Sequence, residues 1–383
     1  MSLPLPPRAL CMLLLLALSA QASAAIPLPA IPGAPNVDAR NYVLLDPDSG
    51  QTLIERASTQ PVPPASLTKL MTAYLTFQAL TQGKLKLDQP GTVSVAAWKA
   101  GGSTMFLQPG MPATVEQMIQ GLVVVSGNDA AIALAETIAG NTDSFVQMMN
   151  ATANQLGMAQ SHFDNVNGLP TPTHRVSARD VALLTESIMR QYPQYLHYFS
   201  QQTFTYNKVT QRNWNPLIFS DSTVTGMKTG HTDEAGFCLD ATAMRNGQRL
   251  IAVVLGSRTR NDSAKAVEAL LNYGYRFFET RHAYRAGQII STVLNTWASP
   301  VQIALGVASD VWVTLPIGHY AQLKPSLSLP KQLPLPLMRG QTVGSLILSD
   351  GDKEVSRIPL TVLNPVQKAG WFSHWWNIIK ATL

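Results

Sequence analysis

The sequence predicts an α+β fold: a helical block enclosed between two strand-forming segments, then a small all-β domain and an amphipathic C-terminal helix. Three observations carry this prediction. Strand patterns occur at 41–56 and return at 223–257, on either side of a long helical stretch. Short Val/Ile/Leu runs broken by Pro and Gly fill 284–364. The last residues, "GWFSHWWNIIKATL", alternate apolar and polar residues at helical spacing.

The elements follow in chain order. Arg8 is the one charge before the apolar run "ALCMLLLLALSA", which is short for a membrane span, and the small residues Ala22-Ser23-Ala24 follow. Residues 1–24 therefore read as a secretory signal peptide. Residues 25–36 hold four prolines and no charge and read as an extended linker. "NYVLLDPDSGQTLIER" reads as a strand, an Asp-Pro-Asp-Ser-Gly turn and a second strand.

Helices are expected from Ser66 to about Tyr192. Thr114, Asn128 and Ser177 open three of them, and Gly140 and Gly157 close two. "TVTGMKTG" (223–230), "GFCLDATAM" (236–244) and "RLIAVVLGS" (249–257) read as successive strands. A closing helix is expected over 263–279, with Val267, Leu270 and Leu271 on its apolar face and Gly274 permitting close packing there. The first domain then spans 37–283, the β-rich domain 284–364 and the amphipathic segment 365–383.

In that last segment Trp371, Phe372, Trp375, Trp376, Ile378, Ile379 and Leu383 share one arc, opposite Ser373, His374, Asn377 and Lys380. The pattern suits a membrane surface and is too short and polar to span one. The competing reading is a terminal helix whose apolar face packs on the body.

Composition narrows the function classes. Of 383 residues, 46% are hydrophobic and 13% charged, enough apolar material for sizeable cores. The net charge of +5 is scattered, with no basic run and no nucleic-acid motif, so no nucleic-acid partner is expected. Of the two cysteines, Cys11 lies in the leader; Cys238, alone in an apolar run, reads as a buried thiol.

Three short motifs could carry chemistry. Ser66-Leu67-Thr68-Lys69 puts a hydroxyl and an amine on one face of a helix start. A lysine activates such a serine only if burial or a neighbouring cation lowers its pKa. The motif alone is weak, since Ser328-Leu329-Pro330-Lys331 repeats it across a helix-breaking proline. Ser126-Gly127-Asn128 joins two helices and reads equally as an ordinary helix cap. Lys228-Thr229-Gly230 lies on a strand, where glycine leaves room for a ligand backbone.

In this order and spacing the three match the pattern of penicillin-recognising serine enzymes. Together with "STMFLQPGM", "GMKTGHTDEAGF", "YGYRFFET" and the trailing β-domain and anchor, the sequence resembles the D-alanyl-D-alanine carboxypeptidases, the low-molecular-mass penicillin-binding proteins. The resemblance implies a transpeptidase-like domain, an antiparallel sheet covered by helices. It implies Ser66 as acylated nucleophile, Lys69 as base, and Ser126 and Lys228 as the proton relay to the leaving D-alanine. Asn128 would hold the acyl amide, Thr229 beside Gly230 the terminal carboxylate, and the backbone N–H groups of Ser66 and His231 the oxyanion. Arg212 is the arginine expected to help hold the carboxylate; a second family arginine would fall near Ser263, with Arg258 and Arg260 close by.

No cofactor or metal is implied. The implied partners are peptidoglycan stem peptides, β-lactams as covalent inhibitors and a membrane surface. The expected location is the periplasmic face of the cytoplasmic membrane. The alternatives are a D,D-endopeptidase or transpeptidase of the same superfamily, a class A β-lactamase and a non-catalytic envelope-binding protein. A β-lactamase would need a Glu-x-x-Leu-Asn string between the second and third motifs, and the string at Glu268–Asn272 lies after them.

Overall fold

The computed structural model describes residues 31–371, 373–375 and 377. The expected signal peptide therefore lies outside the described residues. The hairpin is present: Asn41–Asp46 pairs antiparallel with Gln51–Arg56. It adds to three later strands to make a five-stranded sheet. From edge to edge the order is Gln51–Arg56, Asn41–Asp46, Gln248–Ser257, Gly236–Arg245 and Val224–Thr232, every neighbour antiparallel. The two ends of the domain thus meet in one sheet, and the Lys-Thr-Gly strand lies at its edge.

Each face of the sheet is covered. On one side lies helix Arg260–Phe277, N-capped by Thr259, with Val267, Leu270 and Leu271 buried. A Cβ on Gly274 would come within 2.5 Å of Leu250 and 2.9 Å of Leu44, so glycine lets helix and sheet approach closely. On the other side lie the helices Lys69–Thr81, Val115–Val124, Asn128–Ala139, Thr142–Gln155 and Ala178–Gln191. Local chemistry explains their ends. Thr114 and Gln117 form a reciprocal capping box, Ser177 Oγ accepts from the Asp180 N–H, and Gly140 closes its helix at φ 81°. Helix Lys69–Thr81 runs through the middle of this layer and is buried almost throughout.

Two features depart from the sequence reading. Residues Thr203–Tyr206 and Val209–Arg212 form a small hairpin. The closing helix starts and ends earlier than expected: it stops at Phe277, and Phe278–Tyr284 is a strand paired with Val311–Pro316. A second five-stranded sheet follows, in the order Leu323–Ser328, Thr342–Asp350, Lys353–Val362, Gln302–Gly306 and Ile289–Leu294, around its own apolar core. Polar latches tie these later strands to the first hairpin: Ser49 Oγ lies 2.6 Å from Thr314 Oγ1 and Thr280 bonds Asp46, both from the two-stranded pair, and Gln51 Nε2 donates to Val355 O of the five-stranded sheet at 2.8 Å.

Of the apolar residues of the C-terminal segment, Trp371 and Trp375 are described and exposed; Phe372, Trp376, Ile378, Ile379 and Leu383 lie outside the described residues. His374, assigned to the polar side, stacks on Trp297 with ring centroids 3.5 Å apart, and Asn377 Nδ2 donates to Thr296 O at 3.1 Å. The polar side therefore meets the β-domain, while the two tryptophans face outward. Among the described residues no helix is long and apolar enough to cross a membrane.

Candidate active site

The nucleophile candidate sits on a tight turn. Residues Ala65–Thr68 form one 3-10 turn feeding directly into helix Lys69–Thr81. Ala65 is held at φ 48°, an unfavourable region for a residue with a Cβ. The strain is over-determined by its neighbours. Thr68 Oγ1 donates to Ala65 O at 2.9 Å and lies 2.8 Å from His174 Nε2. His174 Nδ1 accepts from the Asp164 N–H at 3.0 Å, so its proton resides on Nε2 and points at Thr68. Burial holds this imidazole neutral, its pKa lowered to about 4.

Lys69 Nζ donates to Ser66 Oγ at 2.8 Å and to the backbone carbonyl of Asn167 at 2.7 Å. The lysine is fully buried. Burial pushes its pKa well below the ordinary value, the charge of Lys228 pushes the same way, and Asp129 opposes both. A buried amine beside a second cation is what a lysine base requires. Burial also lowers Lys228, to about 7; its Nζ donates to Thr229 O at 2.9 Å.

The second motif forms a fixed corner. Ser126 adopts φ 60° between its two helices. The Asn128 N–H donates to Ser103 O at 2.7 Å and its Nδ2 to Gly101 O at 2.6 Å. Buried Asp129 accepts the N–H groups of Met105, Leu107 and Ala130, which pins the 103–107 segment beside the corner.

The edge strand closes the site. A Cβ on Gly230 would lie 3.0 Å from Pro64 O and 3.1 Å from the Ser66 nitrogen, so glycine lets the strand lie against the nucleophile turn without crowding its backbone. Ser66, Ser126, Thr229, Gly230 and His231 line one cleft of about 220 Å³ with Trp214, Arg260 and Ser263. His231 stacks on Phe237 at 3.9 Å. Cys238 also reaches the wall, and burial raises its thiol pKa to about 11, so it stays protonated.

The structure thus brings Ser66, Ser126, Thr229, Gly230 and His231 around one cavity, with Lys69 buried beneath Ser66. Arg212 is placed apart. It ends the small hairpin, exposed, its guanidinium 4.4 Å over the Phe219 ring, and it does not line the cleft. Arg260 does, stacked 4.4 Å over the Trp214 ring. The Trp214 indole N–H donates to Val125 O at 3.1 Å, next to Ser126. Sequence reasoning missed Trp214 and the Asn167 carbonyl: the first lies in an unrecognised hairpin exit, and a backbone acceptor has no side-chain signature. Among the described residues no three His, Cys, Asp or Glu side chains converge as a metal site.

A serine beside a buried lysine, on a helix layered against an antiparallel sheet, with a separate β-domain behind, defines a penicillin-binding-protein fold. Comparison with known proteins gives the family. Residues 29–259 match the D-alanyl-D-alanine carboxypeptidase family, and residues 278–368 match the penicillin-binding protein 5 C-terminal domain. The D-alanyl-D-alanine carboxypeptidase DacA of Escherichia coli is 38% identical over 358 residues, covering 91% of this chain and 89% of its own. Penicillin binding protein 5 from Haemophilus influenzae superposes with a TM-score of 0.85 at 36% identity, over 88% of this chain and 99% of its own. Penicillin-binding protein D2 from Listeria monocytogenes, solved in the ampicillin-bound form, matches with a TM-score of 0.59 at 28% identity, over 64% of this chain and 100% of its own. The chain belongs to the D-alanyl-D-alanine carboxypeptidase family and is a serine-type carboxypeptidase of cell-wall metabolism.

Proposed function

We propose that this chain removes the terminal D-alanine from peptidoglycan stem pentapeptides through an acyl-enzyme on Ser66. The observation that carries the reading is the 2.8 Å bond between Lys69 Nζ and Ser66 Oγ, made by an amine whose burial favours the neutral form. Neutral Lys69 takes the hydroxyl proton as Ser66 Oγ bonds to the penultimate D-alanine carbonyl carbon. The backbone N–H groups of Ser66 and His231 receive the oxyanion. The C–N bond breaks as the proton held by Lys69 passes through Ser126 and Lys228 to the departing amine, which leaves Lys69 neutral again. Water then attacks the ester; Lys69 accepts its proton and returns it to Ser66 Oγ as the ester C–O bond breaks, which regenerates Ser66.

Asn128 holds the acyl amide, and Thr229 binds the terminal carboxylate. In this reading the arginine that helps it is Arg260, because Arg260 lines the cleft and Arg212 does not. A β-lactam acylates the same Ser66 oxygen, but its ring nitrogen stays tethered and cannot leave. The relative solved with ampicillin supports that extension.

The location follows from the termini. Residues 1–24 direct export, and the tail holds the enzyme to the membrane, its polar side on the β-domain and Trp371 and Trp375 outward. The direct assay is D-alanine release from a pentapeptide ending in D-Ala-D-Ala. Release by the parent and none above background by Ser66→Ala is expected; equal release by both would sink the assignment.

A further inference from the structure

Arg260 meets the cleft with no counter-charge to fix it. Among the described residues no carboxylate lines the cleft, and Arg260 is its one arginine or lysine. Arg258, two residues earlier, is already engaged: its Nε donates to Asp38 Oδ2 at 2.6 Å. Among the described residues no ion pair or side-chain hydrogen bond holds the Arg260 guanidinium, which lies 4.4 Å over the Trp214 ring. An arginine left to itself samples many rotamers, and ordering it is costly. Trp214 is the opposite case. It is 39% exposed, so it does not serve as core filling. Its backbone N–H donates to Val124 O at 3.4 Å and its indole N–H to Val125 O at 3.1 Å, in the segment that leads into Ser126. Both of its neighbours are buried and bonded. Asn213 Nδ2 donates to Gln201 O at 2.9 Å, and Asn215 Nδ2 donates to Gly226 O at 3.2 Å on the Lys-Thr-Gly strand. The indole is therefore a fixed platform, tied to the segments that carry the second and third motifs.

We propose that Trp214 is a positioning residue for substrate recognition: its ring face holds the Arg260 guanidinium ready for the terminal carboxylate of the peptide. The inference rests on the reading of Arg260 as the carboxylate arginine and falls with it. Stacking occupies the face of the guanidinium and leaves its in-plane N–H donors free for a bidentate carboxylate. An ion pair would also fix an arginine, but it would take up those donors, as Asp38 does at Arg258. Holding the side chain in place beforehand reduces the ordering cost when substrate binds.

Steady-state hydrolysis of a pentapeptide ending in D-Ala-D-Ala by the full chain tests this. Trp214→Leu keeps apolar bulk without an aromatic face, and Trp214→Phe keeps a face; both lose the N–H bond to Val125 O. Trp214→Leu should raise KM about five-fold, the worth of a partly exposed cation–π contact, with kcat within about two-fold. Trp214→Phe should stay within about two-fold of the parent KM. In the Arg260→Gln background the leucine substitution should add less than about two-fold, because the group it positions is gone. A full five-fold rise in that background would overturn the proposal, since Trp214 would then act on the substrate by itself. Equal losses in Trp214→Leu and Trp214→Phe would overturn it as well, by assigning the effect to the Val125 bond. A parent-like KM in Trp214→Leu beside a raised KM in Arg260→Gln would refute the proposal and leave the carboxylate role of Arg260 standing. A parent-like KM in Arg260→Gln would refute that role, and the proposal with it.

Discussion

Lys69 Nζ lies 2.8 Å from Ser66 Oγ and is held there by a second bond, to Asn167 O. The lysine rises from the first turn of a buried helix, and the carbonyl comes from a loop almost one hundred residues later. The amine is thus aimed from two directions, and burial with the nearby charge of Lys228 lowers its proton affinity.

Replacing the base tests that geometry. Lys69→Gln should lower the acylation rate by about 10²–10⁴, the usual contribution of a positioned base. Stopped-flow acylation by a chromogenic β-lactam reads this directly, and a loss below three-fold would exclude Lys69 as the base.

The two lysines make a pH prediction. Protonated Lys228 disfavours a proton on Lys69, so removing it raises the Lys69 pKa. The acid limb of the acylation profile should therefore move to higher pH in Lys228→Gln. A limb that stays in place, or moves to lower pH, would contradict the coupling.

The carboxylate pocket discriminates between two arginines. Arg260→Gln should raise KM for a substrate ending in a free carboxylate about ten-fold or more, the cost of losing a charge-assisted contact. Arg212→Gln, whose guanidinium sits over Phe219 outside the cleft, should stay within about two-fold. The reverse ranking would return the role to Arg212.

His174 tests what holds the strained turn. It reaches Ala65 through Thr68, so His174→Ala should slow acylation about ten- to a hundred-fold by loosening Ser66 while altering substrate KM little. His174→Gln keeps a donor and an acceptor and should recover most of the rate. Parent-like acylation by His174→Ala would show that the turn holds itself.

Asp240 offers a stability test. It is fully buried, its Oδ2 accepts from Thr185 Oγ1 at 2.6 Å, and its Oδ1 has no partner. Burial raises its pKa to about 7. Below the unfolded pKa of about 4 both states are protonated and the group is neutral in effect. As pH rises through that value, only the unfolded chain ionises, so folding is disfavoured increasingly until about pH 7. Asp240→Asn should therefore raise stability at pH 8, by up to about 4 kcal/mol, with the gain vanishing near pH 4. An equal change at both values would argue against a buried protonated carboxyl.

Much of this was legible in the sequence because it is local. The Ser66–Lys69 pair follows from helical spacing, and the Thr114 and Ser177 caps follow from side chains bonding nearby N–H groups. The strands at 223–257 show by their apolar runs, and pairing with the hairpin at 41–56 follows from enclosing the helices. What could not be read depends on distant parts meeting. Lys69 finds Asn167 O, Thr68 finds His174, and Trp214 orients Arg260, each across tens of residues. Arg212 shows the same limit: the family resemblance placed it near the carboxylate, but the Thr203–Arg212 hairpin carries it away from the cleft. The tail was legible as two faces, and which face meets the body is decided by Trp297, a residue of another domain.

Peptide mass mapping after penicillin treatment bears most directly on Ser66. One penicilloyl adduct on the peptide carrying Ser66, absent in Ser66→Ala, is the expected result. An adduct on another residue, or one that persists in Ser66→Ala, would contradict the assignment of the nucleophile.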